Sequence, residues 1–283
     1  MSGQPGVLHC GARRLDLSEP RIMGVINVTP DSFSDGGRFF GGTADLSRIS
    51  DIAAAMLADG AAILDVGGES TRPGAAAVPA DEEIRRVMPV IERLLDFDAI
   101  LSVDTSKPAV AARVLAAGAH LVNDVTGGRD PQMLAAVARS DAAFCLMHMQ
   151  GEPRTMQEAP YYSDVVAEVR AFLAGRVSAC RAAGIGHERL LLDPGFGFGK
   201  TLAHNLALLK DLAALRVDEL PLLVGLSRKR MIGTITGRAV EQRAVGSAAA
   251  AVLAVQRGAA IVRVHDVAET ADALAMLVAL RDA

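Results

Sequence analysis

The chain has no tryptophan and only two tyrosines, which leaves little aromatic surface for stacking on single-stranded nucleic acid. Its three cysteines, Cys10, Cys145 and Cys180, lie far apart, are odd in number and include no C-x-x-C pair. That pattern argues against both a disulfide framework and a thiolate metal centre. A formal net charge of −4 lacks the excess of Lys and Arg on which nonspecific nucleic-acid binding draws, though a few local cations would still hold a small anion. Missing too is an unbroken apolar stretch of about 18 residues, the minimum for crossing a bilayer. Residues 244–256 come nearest, and they are too short and too polar at the ends. No charged region followed by an apolar one opens the sequence. The expectation is a cytoplasmic protein with neither a membrane nor a nucleic-acid partner.

What is abundant is Ala, Val and Leu, within a hydrophobic share of 51%. The 283 residues are close to the usual length of one α/β barrel, about 250. Eight short apolar runs recur, at 21–27, 61–67, 99–104, 120–124, 143–148, 189–193, 221–226 and 259–264. Amphipathic, alanine-rich segments follow them and read as helices. The clearest spans 163–184, with Val165, Val169, Phe172, Val177 and Cys180 on one face, Ser163 as N-cap and Gly184 at the end. Others are expected at 45–59, 81–95, 108–117, 202–215, 241–257 and 267–280. Alternating strand and helix implies a parallel sheet, because the helix returns the chain. Eight units in this length favour a closed (β/α)8 TIM barrel, a single domain over 1–283, with an open doubly wound sheet as the alternative. Ahead of it, the turn at Gly11 reads as a β-hairpin able to plug the N-terminal end of the barrel.

Each apolar run stops at a polar residue: Asn27, Asp65, Asp104, Asn123 with Asp124, His148, Asp193, Ser227 with Arg228 and Lys229, and Arg263 with His265. One polar strand end is ordinary. Eight on the face where barrel enzymes place their sites point to a shared ligand, since burying them without partners would cost several kcal/mol each. The loops after Asn27 and Asp65 are rich in Gly, Pro, Ser and Thr and exceed the usual two to six residues of a βα connection. Both are candidate lids.

The stretch LLLDPGFGFGKT, 190–201, imitates a phosphate-binding loop but is not one. That motif is G-x-x-x-x-G-K-[ST], and its first glycine would fall at Pro194, which has no N–H to offer. Lys200 and Thr201 therefore read as the start of the next helix. The chemistry moves upstream to Asp193, with alternating glycines that let a tight loop clear space for flat rings.

Together these segments resemble the dihydropteroate synthase family. The motifs that carry the resemblance are MGVINVTPDSFSDGG at 23–37, DVGGESTRPGA at 65–75, SVDTSKPAVA at 102–111, VNDVTGG at 122–128, LMHMQGEPRTMQ at 146–157, LLLDPGFGFGK at 190–200, GLSRKRMIG at 225–233 and VRVHDVAET at 262–270. They run in order over nearly the whole chain. The resemblance implies a TIM barrel, usually dimeric, that condenses 6-hydroxymethyl-7,8-dihydropterin pyrophosphate with p-aminobenzoate. It implies pterin contacts from Asp104, Asn123, Asp193 and Lys229, and pyrophosphate contacts from Asn27, Thr71, Arg72, Arg263 and His265, with Mg²⁺ near Asn27. Phe33, Pro73, Phe198, Gly225 and the segment Ser227, Arg228, Lys229, Arg230 are implied around p-aminobenzoate, where sulfonamides would compete. Asp104, Lys229, Arg263 and His265 are the catalytic candidates. Relatives often carry a serine after the lysine of the S-R-K motif; here it is Arg230, so the backbone at the following helix start is the expected carboxylate contact.

These residue types also suit the chemistry. A carboxylate such as Asp193 accepts from two pterin donors at once, Lys229 supplies donors for ring acceptors, and cations stabilise a departing pyrophosphate. Two other readings remain, a pterin-dependent methyltransferase acting on a corrinoid protein and a pterin-binding paralogue without activity. The paired cationic motifs favour the synthase. Asp65 and Glu69 are expected to orient the Thr71–Arg72 loop, Asp124 to face away from the site, and His148 to be a satisfied strand-end histidine.

Overall fold

A computed structural model describes residues 6–28, 45–70, 77–151 and 155–283. The hairpin forms first, β1 (Val7–Cys10) against β2 (Arg13–Asp16), antiparallel. Then strands and helices alternate: β3 (Arg21–Asn27), α1 (Leu46–Ala58), β4 (Ala61–Gly67), α2 (Ala80–Leu94), β5 (Ile100–Asp104), α3 (Pro108–Ala117), β6 (Leu121–Asp124), α4 (Pro131–Ala138) and β7 (Ala143–Met147). The remainder is α5 (Val165–Ala182), β8 (Leu190–Asp193), α6 (Leu202–Lys210), β9 (Leu222–Val224), α7 (Arg230–Thr236), α8 (Ala244–Gln256), β10 (Ala259–Val264) and α9 (Val267–Asp282).

Strands β3 to β10 form a closed parallel barrel. Closure is decided by β10, which pairs with β3 on one side, Val262 opposite Ile22, and with β9 on the other. The open-sheet alternative is thereby ruled out. The hairpin plugs the N-terminal end as expected: Leu8, Cys10, Leu15 and Leu17 pack on Met23, Ile63, Ile100, Leu121, Leu191 and Leu223 in one buried cluster. Two larger clusters fill the space between barrel and helices.

Several local expectations need correction. The N-cap of α5 is Asp164, not Ser163: its Oδ1 accepts from Val166 N and Ala167 N at 3.0 Å each. A carboxylate outcompetes a hydroxyl at the positive end of a helix. On that helix Leu173, not Phe172, enters the core, because the Phe172 ring turns edge-on to His148, with centroids 4.9 Å apart. The helix expected over 202–215 breaks at Asp211 into α6 and a 3₁₀ turn, Leu212–Leu215. The one expected over 241–257 starts at Ala244 after another 3₁₀ turn, Val240–Gln242. The short helices α4 and α7 carry too little periodicity to be delimited from sequence.

Candidate active site

All the described site residues gather at the C-terminal mouth of the barrel. Asn27, Asp104 and Asp193 end their strands, Asn123 sits one residue from the end of β6, and Arg263 is the penultimate residue of β10. Phe33, Thr71, Arg72 and Pro73 lie outside the described residues. Register explains why the others converge. In the parallel ladder Asp65 stands opposite Ser102, Gly67 opposite Asp104, and Asp104 opposite Asn123, so these side chains share the inner face. The side-chain oxygen of Asn27 lies 3.8 Å from where a Cβ on Gly67 would be, and Asp104 Cβ lies 3.6 Å from the same point.

At the centre a single arginine serves two carboxylates. Arg263 Nε donates to Asp65 Oδ2 at 2.6 Å and its NH2 group donates to Asp104 Oδ2 at 2.8 Å. Asp65 is fully buried. Its Oδ1 also accepts from Ser102 Oγ at 2.5 Å and its Oδ2 from Asn123 Nδ2 at 3.3 Å. Burial works against the charge on Arg263, but the Asp65 and Asp104 carboxylates outweigh it and hold the guanidinium above its ordinary range. Asp104 is pushed up to about 7 by burial, with Arg263 opposing and the Asp65 carboxylate adding to the rise. Asn123 donates to Asp65, while its acceptor Oδ1 is buried with no partner among the described residues. An orphaned acceptor of that kind normally has a ligand to satisfy it.

Across the mouth, burial raises the Asp193 carboxyl against the pull of the Lys229 ammonium. Burial also lowers Lys229, to about 8, with Asp193 opposing. Lys229 Nζ donates to Phe196 O and sits 4.8 Å from the centre of the Phe198 ring. Gly225 lies beside the lysine: a Cβ there would be in ordinary contact with Nζ, at 3.7 Å. His265 Nδ1 lies 3.0 Å from Ser227 Oγ, which also accepts the backbone N–H of His265 at 3.2 Å.

The structure adds detail at Arg228, Arg230 and the glycines of 190–201. The Arg228 guanidinium forks onto both oxygens of Asp266. Its backbone adopts a left-handed φ of 57°, held by Arg228 N donating to Ser247 Oγ at 2.9 Å and by Arg243 donating to Arg228 O at 3.0 Å. Arg230 is the first residue of α7 and exposed. The first-turn N–H groups of this seven-residue helix are those expected to meet the carboxylate. Of the alternating glycines of 190–201, Gly197 faces the site, where a Cβ would lie 3.3 Å from Lys229 Cδ, while the other two serve backbone packing. A Cβ on Gly195 would lie 1.8 Å from His148 O, and one on Gly199 2.6 Å from Gln150 O, so they let the loop lie flat against the chain leaving β7.

Other expectations hold in refined form. Asp124 accepts from Thr126 N at 2.8 Å and Gly128 N at 2.7 Å and stays out of the site. Glu69 accepts Val78 N at 2.9 Å and pairs with Lys107, which also pairs with buried Glu83, so it fastens both flanks of 71–76. Asp65 orients Arg263 and Asn123; the Thr71–Arg72 loop it was expected to orient lies outside the described residues. Ser102 went unnoticed in the sequence; its one signal was a hydroxyl interrupting the apolar run of β5. Lys200 precedes the N-cap of α6, Thr201, whose side chain forms a capping box with His204, and its own side chain is buried beneath the loop.

With the geometry in place, the pterin binding enzyme family matches residues 23–265. The chain belongs to that family. Among its relatives, dihydropteroate synthase of Escherichia coli (strain K12) is 51% identical over 261 residues, 92% of this chain and 91% of that protein. The structure of Yersinia pestis dihydropteroate synthase in a sulfonamide drug complex superposes with a TM-score of 0.91 at 50% identity, covering 98% of this chain and all of that one. Burkholderia cenocepacia dihydropteroate synthase complexed with 7,8-dihydropteroate gives 0.89 at 47% identity, over 99% of this chain and 98% of that one. As a pterin binding enzyme, the chain has polar groups at its barrel mouth of the kinds a pterin ring requires.

Proposed function

We propose that this member of the pterin binding enzymes is a dihydropteroate synthase. It joins 6-hydroxymethyl-7,8-dihydropterin pyrophosphate to p-aminobenzoate, forming 7,8-dihydropteroate and releasing pyrophosphate. The observation that carries the reading is the placement of a buried acceptor with no partner among the described residues, Asn123 Oδ1, with the Asp193 carboxylate and Lys229 amine at one mouth. Asp193 accepts from the pterin 2-amino and N3–H groups, a charge-assisted pair. Lys229 donates to ring acceptors, and Asn123 Oδ1 takes a remaining donor.

The C–O bond to pyrophosphate breaks with its electron pair leaving on oxygen, and positive charge develops on the pterin methylene. Asp104 stabilises that carbon. Arg263 and His265, with Arg72, stabilise the departing anion. The arylamine nitrogen attacks the carbon, forms the C–N bond and loses a proton, so no protein nucleophile is required. Substitution of this kind is SN1-like.

Mg²⁺ fits the donor set. Among the described residues no three His, Cys, Asp or Glu converge as a cation site, and Mg²⁺ commonly takes one or two protein oxygens plus substrate phosphates. Asn27 would supply the protein oxygen, and the ion, when bound, would supply charge neutralisation for the leaving group. Sulfonamides compete in the pocket walled by Phe198. The large exposed apolar side chains Ile235, Val245, Leu253, Met276 and Leu280 on α7, α8 and α9 favour a homodimer. No helix among the described residues is long and apolar enough to cross a membrane, which accords with a cytoplasmic enzyme.

The test is direct. Purified protein with Mg²⁺, the pterin pyrophosphate and labelled p-aminobenzoate forms labelled dihydropteroate and pyrophosphate in equal amounts. Pterin binding without product would leave the inactive paralogue as the better account.

A further inference from the structure

Lys200 is 3% exposed, a rare condition for lysine, and the reaction above makes no use of it. Its Nζ lies 2.9 Å from Gly195 O, from Phe198 O and from His148 Nδ1. The first two carbonyls are the ends of one turn, closed by Phe198 N donating to Gly195 O at 3.1 Å. The third partner belongs to the chain just past β7. Lys200 thus joins the two ends of the turn and fastens both to the neighbouring strand's exit.

Both protonation states fill these contacts. An ammonium donates all three, with His148 accepting at Nδ1. A neutral amine donates two and accepts Nδ1–H from a neutral imidazole. Burial and the Lys200 charge lower His148 to about 3, so the imidazole is neutral and able to play either part.

The two halves of the loop are held differently. Phe196 is anchored by its own fully buried ring, and Asp193 stands on β8 with Gly195 N donating to Oδ1 at 2.7 Å. Phe198 is only half-buried; its backbone is tied through Gly195 O and Lys200 Nζ, and its ring lies under Lys229. We propose that Lys200 is a positioning residue for the arylamine pocket, clasping the Gly195–Phe198 turn so that the Phe198 ring stands where p-aminobenzoate packs. The inference rests on the synthase reading above.

The experiment is steady-state kinetics of Lys200→Met, which keeps the volume and removes the donors, with the wild type alongside. We expect KM for p-aminobenzoate to rise about tenfold, while affinity for the pterin pyrophosphate stays within about threefold. His148→Leu removes the Nδ1 tie, leaves only the longer donation from Nζ to the residue-148 carbonyl at 3.5 Å and keeps the turn bonded, and should shift KM in the same direction by less. An unchanged p-aminobenzoate KM in a folded Lys200→Met overturns the inference, as does a fall in kcat with both KM values intact, the mark of a general structural role. Should Lys200→Met fail to fold, an unchanged KM in His148→Leu overturns it equally. A wild type that makes no dihydropteroate would instead remove the functional reading beneath.

Discussion

Asp65 and Arg263 are 198 positions apart in the chain, and they meet with Nε 2.6 Å from Oδ2. The same carboxylate oxygen accepts from Asn123, so one buried charge orients both a cation proposed for the leaving group and an amide proposed for the pterin. Asp65→Asn, which removes the charge and keeps the shape, is expected to lower kcat/KM by roughly 10²-fold. Combined with Arg263→Lys it should lower it less than the product of the two single effects, because residues in one network couple. Independent multiplicative losses would refute the coupling.

Asp193 lies under the pterin edge in the proposed mechanism, and truncation leaves ring donors unpaired in a dry site. Asp193→Ala should weaken pterin binding by about 3–5 kcal/mol, measured by calorimetry, whereas Lys200→Ala should change it little. Equal losses would mean that the loop and the strand end act as one contact.

The pH dependence of Asp104 has a definite sign. Its folded value near 7 exceeds its ordinary 3.8, so its favourable contribution to stability is complete below 3.8 and is lost as pH rises through about 7. Relative to wild type, Asp104→Asn should therefore gain stability between about pH 4 and about pH 8 in urea titrations. Only the carboxylate stabilises a cation, so wild-type kcat/KM should climb with pH through the same region. A flat profile in both would contradict the assignment.

Thr201, the last residue of the P-loop imitation, is a helix cap. Thr201→Ala should cost about 1 kcal/mol of stability and leave both KM values unchanged, as thermal melts and kinetics would report. An altered pterin KM would argue against a purely capping role.

Met276 and Leu280 on α9 are 73% and 74% exposed. Replacing both with Glu should yield monomers by light scattering if those helices form the homodimer contact. Unaltered mass would place the contact elsewhere.

The period of apolar runs, the polar residue at each strand end and the quoted motifs all lie in consecutive residues, so the sequence by itself determined the eight βα units, the hairpin and which polar residues end the strands, while closure of the sheet over an open one was left to β10 meeting β3. Strand periodicity was enough to predict that Asp124 faces away from Asn123. What only tertiary structure decided was partnership. Nothing local shows that Arg263 bridges Asp65 and Asp104, because the three lie on strands that become neighbours of one cavity only when β10 closes onto β3. Nor does the stretch 190–201 reveal that its lysine is buried against His148, or that its glycines yield to the carbonyls of His148 and Gln150. Those contacts join segments about 50 residues apart, and a sequence lists its residues without the distances that barrel closure imposes between them.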